Sequence, residues 1–273
     1  MTEKLTTAEL LRWHLEAGVD ETIGDSPVDR FAEPPQAAAP EPQPAPHQAP
    51  VKALKLPDKA VARPVVPAVA DQLLRDAWAL AEAAQNIDEL RQAVAGFEGC
   101  SLKKTATTTV FGDGNPQAKI VFIGEVPGAE EDRQGVPFVG PSGQLLDKML
   151  ASIGLDRSNV YIANMVFWRP PGNRTPTAGE TAVCMPFVER LMELIDPDFL
   201  VALGGPAAKA MLAETAGVGR LRGKWFTYST PRLSRPIQAT ALFHPDYLLR
   251  SSAHKREAWA DLLAIRDKLS EHS

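Results

Sequence analysis

The sequence predicts an α/β protein with three layers, α/β/α, around a central, mainly parallel four-stranded sheet. Three observations support this fold class. Short apolar runs alternate with stretches of helical length, which is typical of parallel strands covered on both faces. The runs are apolar throughout rather than at alternate residues, as expected for strands buried on both sides. Segments rich in glycine, proline and polar residues follow the runs directly, at the strand ends where ligands bind in such folds.

Composition divides the chain into three parts. Residues 1–32 contain a candidate amphipathic helix, in which residues 6–9 provide a capping pattern ahead of several apolar side chains. Residues 33–70 are rich in proline and alanine and have no apolar periodicity, so we expect a disordered linker. Residues 71–273 carry the α/β pattern. The N-terminal helix is expected either to dock on the rest of the chain or to bind a protein partner.

The elements of the third part are read from apolar periodicity. The first is an alanine- and leucine-rich helix that runs to about Val94. The predicted strands are residues 119–124, 160–166, 199–203 and 239–243. The predicted helices after them are residues 142–153, 181–195, 206–212 and 255–269.

Bulk composition limits the class of function. No run of eighteen apolar residues occurs and the N-terminal residues lack a signal-peptide pattern, so we expect a cytoplasmic protein. We also expect a monomer. The net charge of -5 argues weakly against a nucleic-acid partner. Residues 205–273, however, contain 11 Lys and Arg against 6 Asp and Glu. This local excess of positive charge permits a phosphate-binding face on an acidic protein.

Polar motifs follow the predicted strands at the point where each strand ends. They begin at Gly124, Asn164, Gly204 and His244. Glycine and proline form tight turns and let backbone N–H groups approach a ligand, whereas Glu, Asn and His side chains provide directional donors and acceptors. Because the carboxyl ends of parallel strands meet at one edge of a sheet, these motifs predict one shared site.

The ordered motifs resemble those of the family 4 uracil-DNA glycosylases. The matching stretches are GEVPG at 124–128, PFVG at 137–140, an Asn-bearing strand leading into RPPGNRTP at 164–176, and HPDYLLR at 244–250. The resemblance covers about residues 99–269. It implies a DNA repair enzyme that flips uracil out of DNA, hydrolyses its N-glycosidic bond and leaves an abasic site.

The chemistry of uracil release suggests a role for four residues. Asn164 is the candidate base reader, because a side-chain amide both donates to uracil O4 and accepts from N3–H. His244 would donate to O2 as negative charge develops, and is most useful when neutral. Phe138 would stack on the flipped base. Glu125 is the nearest carboxylate for placing water or stabilising the sugar cation, since its loop contains no aspartate.

The resemblance implies further residues around the base and the DNA. The expected pocket residues are Gly124, Gly128, Glu131 and Asn173. The expected DNA contacts are Arg169, Arg174 and Arg250 on phosphates and Leu249 as an apolar wedge in the gap left by the base. Surface ion pairs for Arg169 and Arg174, and an ordinary core position for Leu249, are the alternatives.

The resemblance does not extend to all of the residues that bind the family's cofactor. Family 4 members hold a 4Fe-4S cluster with four cysteines, and here only Cys100 and Cys184 match those positions. Phe97 and Trp168 occupy the other two and supply no thiolate, and the chain has only two cysteines. We therefore predict no cluster and no other metal, and expect the two aromatic rings to pack into the space.

Two other functions stay open on the sequence. One is a catalytically silent DNA-binding adaptor of the same fold that recruits a repair or replication partner. The other is an enzyme of this fold that acts on another deaminated base or on a nucleotide. The retained Asn164 and His244 favour the uracil-releasing enzyme, because an adaptor needs neither. The loop at 170–176 is short and contains no histidine, which favours turnover over covalent capture of the abasic sugar.

Overall fold

The structure, a computed structural model, describes residues 68–271. The predicted N-terminal helix and nearly all of the predicted linker lie outside these residues. The strands are β1 (Gly112–Gly114), β2 (Ile120–Gly124), β3 (Tyr161–Asn164), β4 (Phe199–Leu203), β5 (Trp225–Tyr228) and β6 (Ile237–Leu242). The helices are α1 (Ala68–Ala83), α2 (Ile87–Gly96), α3 (Ala129–Gln134), α4 (Pro141–Ala151), α5 (Ala178–Ile195), α6 (Gly205–Leu212), α7 (Val218–Leu221), α8 (Pro245–Arg250) and α9 (Lys255–Glu271).

The strands form one sheet in the order β1-β3-β2-β4-β6-β5. The four central strands are parallel and correspond to the four predicted strands. Two short antiparallel strands, β1 and β5, add an edge on each side and extend the predicted four-stranded sheet to six strands. The sequence of β1 is Gly-Asp-Gly, which has no apolar pattern from which a strand could be predicted.

Alternate residues of the central strands pack on opposite faces of the sheet, and this confirms the predicted three layers. Val121 and Ile123 of β2 belong to a core that includes residues of α1, α2, α5 and α6. Ile120 and Phe122 belong to a second core that includes residues of α4, α8 and α9. Burial on both faces explains why these strands are apolar at every position. Within residues 68–271 no helix is long and apolar enough to cross a membrane.

The single helix predicted up to Val94 is wrong, because the structure divides it into α1 and α2. The second helix begins after Asn86, whose side-chain oxygen accepts a hydrogen bond from the Glu89 backbone N–H at 2.9 Å. An asparagine in this position satisfies a backbone donor that the first turn of a helix leaves free. Apolar periodicity continues across the break and therefore conceals it.

Candidate active site

A cleft of about 410 Å³ opens at the carboxyl ends of the parallel strands. Eight of the predicted site residues line it: Glu125, Gly128, Glu131, Phe138, Asn164, Asn173, His244 and Arg250. The topology brings them together, since β2, β3, β4 and β6 all end at this edge of the sheet. Four other predicted residues are not among its lining residues: Gly124, Arg169, Arg174 and Leu249.

Asn164 is the last residue of β3 and is 1% exposed. Its side-chain oxygen is buried and has no hydrogen-bond partner within the described part of the chain, residues 68–271. Leaving a buried amide oxygen unpaired costs free energy, so an unpaired one in a cleft is poised to accept a hydrogen bond from a ligand. A ligand whose N–H group donates to this oxygen could also place a neighbouring carbonyl next to the N–H₂ group of the same amide.

Gly124 makes room for this amide. A Cβ atom at position 124 would lie 2.4 Å from Asn164 Oδ1 and 2.6 Å from the ring of Phe138. Gly124 and Asn164 are register partners at the ends of neighbouring parallel strands. The absence of a side chain at position 124 therefore lets the Asn164 amide and the Phe138 ring share one small space.

The surroundings of His244 favour a neutral imidazole with its proton on Nε2. The backbone N–H of Asp246 donates to His244 Nδ1 at 3.1 Å, so the ring proton of the neutral imidazole resides on Nε2. Burial lowers the pKa of His244 below its ordinary value, which further favours the neutral form. A neutral imidazole with a fixed N–H donor matches the task of stabilising an oxyanion.

Phe138 forms one wall of the cleft next to the histidine. The residue is 4% exposed, and its ring centroid lies 5.7 Å from that of His244, with an angle of 31° between the planes. The backbone of Phe138 adopts φ of 54°, in the left-handed region that bulky residues rarely occupy. The surrounding contacts therefore impose a strained conformation at a residue that faces the cleft.

The two glutamates of the cleft are held differently. Glu125 is half-buried, and burial raises the pKa of its carboxyl group. Glu131 is buried, and its Oε1 accepts hydrogen bonds from the backbone N–H groups of Val139 and Gly140 at 2.9 and 2.8 Å. Glu131 thus organises the turn after Phe138. The carboxylate of Glu125 accepts no backbone hydrogen bond from the residues that the structure describes.

The loop between β3 and α5 is held by one buried carboxylate. Arg174 donates to Glu180 through both terminal nitrogens, at 2.9 and 2.7 Å. The same carboxylate accepts from Ser101 and from the backbone of Thr177. The Arg174 guanidinium is the main cause that lowers the pKa of Glu180 to about 2. Arg174 therefore anchors this loop to α5, in agreement with the ion-pair alternative for this residue.

Arg169 contacts the same loop from the other end. Its Nε donates to Asn173 Oδ1 at 2.7 Å, and Asn173 has φ of 55°. Asparagine tolerates this left-handed backbone better than most residues. The two arginines of the motif thus shape the loop that brings Asn173 to the cleft.

The rim of the cleft includes α8. Leu249 is 45% exposed, so the structure contradicts a core position for it. Arg250 is also exposed and pairs with Asp246 at 2.8 Å. An exposed apolar side chain next to an exposed cation fits a wedge and a phosphate contact.

Two residues that hold the site were not predicted from the sequence. Arg157 donates to the backbone carbonyls of Pro137 and Phe138. Gly143, in α4, lies so close to the Phe138 carbonyl that a Cβ atom there would be 1.8 Å from its oxygen. Neither residue follows a strand, so neither carries the signal on which the prediction was based.

The four positions that we expected to correspond to cluster ligands lie in a region rich in buried aromatic rings. Phe97 is 3% exposed and its ring centroid lies 5.2 Å from that of Phe187. Trp168 is 1% exposed, packs edge-on against Phe167 at 5.9 Å, and donates from Nε1 to Thr109 at 3.1 Å. A paired indole N–H and close ring contacts describe a packed core.

The two cysteines lie in the same region and are buried. The Cys100 thiol, hydrogen bonded to it, and burial both raise the pKa of Cys184 above its usual range. Among residues 68–271, no group of three or more His, Cys, Asp and Glu side chains is placed to hold a metal ion. The residues present therefore do not fit a cluster that needs four thiolates.

Replacing Glu180 with glutamine is expected to lower the melting temperature by about 5 to 10 °C at neutral pH, because the Arg174 guanidinium loses its buried partner. The folded-state pKa of this carboxyl group lies below its ordinary value. Its stabilising effect is therefore complete above about pH 4.5 and is lost as the pH falls towards 2. Thermal unfolding across this pH range measures the effect, with Glu271→Gln, at an exposed ion pair, as control. An equal loss in both variants would contradict the expectation.

Comparison with known proteins identifies the family of this chain. The sequence model of the Uracil DNA glycosylase superfamily matches residues 111–263. The chain is 38% identical over 185 residues to the Type-4 uracil-DNA glycosylase of Archaeoglobus fulgidus, covering 66% of this chain and 92% of the relative. It is 41% identical over 157 residues to the Type-4 uracil-DNA glycosylase of Thermotoga maritima, covering 57% and 79%.

A third relative belongs to a neighbouring type. It is the Type-5 uracil-DNA glycosylase of Thermus thermophilus, 34% identical over 120 residues, which cover 38% of this chain and 54% of the relative. The fold and the cleft define an α/β enzyme with its site at the strand ends. The chain belongs to the uracil-DNA glycosylase superfamily, and its most extensive similarity among these three relatives is to a type 4 enzyme.

Proposed function

We propose that this protein is a DNA repair glycosylase that hydrolyses the N-glycosidic bond of uracil in DNA and leaves an abasic site. The observation that carries the proposal is the buried amide oxygen of Asn164, which is unpaired among residues 68–271 and lies in one cleft with His244, whose Nδ1 accepts a backbone hydrogen bond. Several type 4 uracil-DNA glycosylases at 32 to 41% identity support it.

The cleft residues divide the reaction among them. Asn164 reads the base through two hydrogen bonds, to O4 and from N3–H. Phe138 stacks on the flipped uracil and His244 donates from Nε2 to O2. As the bond from C1′ to N1 breaks, its electron pair leaves with the uracil, and this donor stabilises the resulting anion. Glu125 faces the sugar, where its carboxylate stabilises the developing positive charge or orients the attacking water. The water oxygen bonds to C1′, and the proton that the water releases neutralises the uracil anion.

An excision assay tests the proposed function. The full chain is incubated with oligonucleotides that contain one uracil, hypoxanthine or xanthine, in single- and double-stranded form, and strand cleavage at abasic sites is measured. Cleavage at uracil alone or foremost supports the proposal. DNA binding without any abasic product would favour the adaptor, which shares this fold and needs no chemistry.

We also propose that the enzyme acts without an iron-sulfur cluster. Phe97 and Trp168 occupy, as buried rings, two positions that supply thiolates in the family, and this supports the proposal. Purified protein is expected to contain no iron and to show no broad absorbance near 400 nm, while retaining excision. About four irons per chain would overturn it.

Partners beyond DNA stay predictions. A protein partner for the predicted helix within residues 1–32, a monomeric state and a cytoplasmic location all rest on the sequence. Pull-down with a peptide of residues 1–32, and sedimentation of the full chain, would test the first two.

A further inference from the structure

We propose that Arg157 is a positioning residue that holds residues 137–140, the Phe138 loop, in the shape needed for stacking on the flipped base. The inference rests on the proposed function, because stacking matters only if a base enters the cleft. Arg157 lies outside the cleft and outside every motif that marks the site. It acts through Phe138 and touches no reacting atom.

The guanidinium of Arg157 donates hydrogen bonds to two backbone carbonyls of the Phe138 loop. Nη1 donates to Pro137 O at 3.1 Å and Nη2 donates to Phe138 O. Two donors from one planar group fix the orientation of both peptide units, which a single ammonium group could not do. The direction of the Phe138 ring depends on these peptide units, since its backbone lies in the left-handed region.

Two carboxylates from different elements hold Arg157 in turn. Nη1 donates to Asp113 of β1 at 2.7 Å, and Nε donates to Asp147 of α4 at 2.9 Å. The guanidinium is largely covered, with 25% of its side chain exposed. Each of its three nitrogens thus has at least one partner. The short edge strand β1 therefore carries one of the two carboxylates that fix Arg157.

The opposite side of the loop is held by a group of opposite charge. Glu131 accepts from the backbone N–H groups of Val139 and Gly140, the two residues after Phe138. A cation therefore binds the carbonyls and an anion binds the amides of one four-residue turn. Gly143 completes the arrangement, since a side chain there would displace the Phe138 carbonyl. Removing the Arg157 side chain removes the hydrogen bonds to the carbonyls of Pro137 and Phe138, and we expect the strained backbone of Phe138 to relax.

A double-mutant cycle tests the proposal, because it separates an effect of Arg157 that acts through Phe138 from a general loss of stability. We expect Arg157→Met to lower kcat/KM for uracil-containing DNA by about 30- to 100-fold, because a shift of about 1 Å in a substrate-positioning group has effects of this size. In a Phe138→Ala background the same change should cost less than about twofold, since the ring through which Arg157 acts is gone. Arg157→Lys should fall between wild type and Arg157→Met. Arg266→Met, at an exposed ion pair on α9, is the matched control and should behave as wild type.

Hydrogen exchange of the peptide that covers residues 137–145 gives a readout independent of activity. The exchange should be faster in Arg157→Met than in wild type and unchanged in Arg266→Met. Equal penalties in both backgrounds, or unchanged exchange, would overturn the role of Arg157. If Arg157→Met does not fold, Asp147→Asn, which keeps the arginine but removes one anchor, takes its place in the cycle. A folded wild type without uracil excision refutes the proposed function instead, while the exchange measurement still decides whether Arg157 holds the loop.

Discussion

Replacing Asn164 with alanine is expected to lower uracil excision by about 100-fold or more, because the base loses both hydrogen bonds by which its edge is read. The side chain is buried at the end of β3, and its oxygen has no hydrogen-bond partner among residues 68–271. Removing the amide therefore breaks no internal hydrogen bond of that oxygen. We expect the melting temperature to change little while kcat/KM for uracil-containing DNA falls.

Two further variants sharpen the Asn164 experiment. Asn164→Asp keeps the shape but replaces the N–H₂ donor with an acceptor, so it should be as defective as the alanine variant towards uracil. Gln144→Ala removes an exposed amide from α4 and should retain full activity. Undiminished excision by Asn164→Ala would show that another residue reads the base.

Replacing His244 with alanine is expected to lower kcat by about 10²- to 10³-fold, the size of effect seen when a preorganised oxyanion donor is removed. The loss should appear in kcat more than in binding, because negative charge on O2 develops only as the bond breaks. Single-turnover excision at saturating enzyme measures it. Thr227→Ala, exposed on the edge strand β5, is the control.

The pH dependence of wild type gives a second test of the same residue. Burial lowers the pKa of His244 below its ordinary value, so the imidazole stays neutral to a lower pH than a free histidine. Activity should therefore persist as the pH falls through about 6.5 and decline only below it. A rate that rises as His244 becomes protonated would contradict a neutral donor and would indicate a cationic one.

Local sequence patterns accounted for the parallel part of the sheet and for most of the cleft. Strands buried on both faces are apolar at every position, and this pattern is visible without any partner. Asn164 and His244 stand where such strands end, so the topology itself implied that they meet. The edge strand β1 escaped prediction because Gly-Asp-Gly forms a strand only through its pairing with β3.

The sequence by itself determined the fold class, the edge of the sheet that carries the site and the residue types available there. These properties depend on periodicity and on neighbours along the chain. Only the tertiary structure decided which charged groups bind another side chain and which bind the backbone. Arg174 is paired with Glu180. Glu131 accepts hydrogen bonds from backbone N–H groups of the Phe138 loop, and Arg157 donates to its backbone carbonyls. The physical reason is that a charged side chain takes its partner from the groups that folding brings near it, and those lie 6 to 20 positions away along the chain in these contacts.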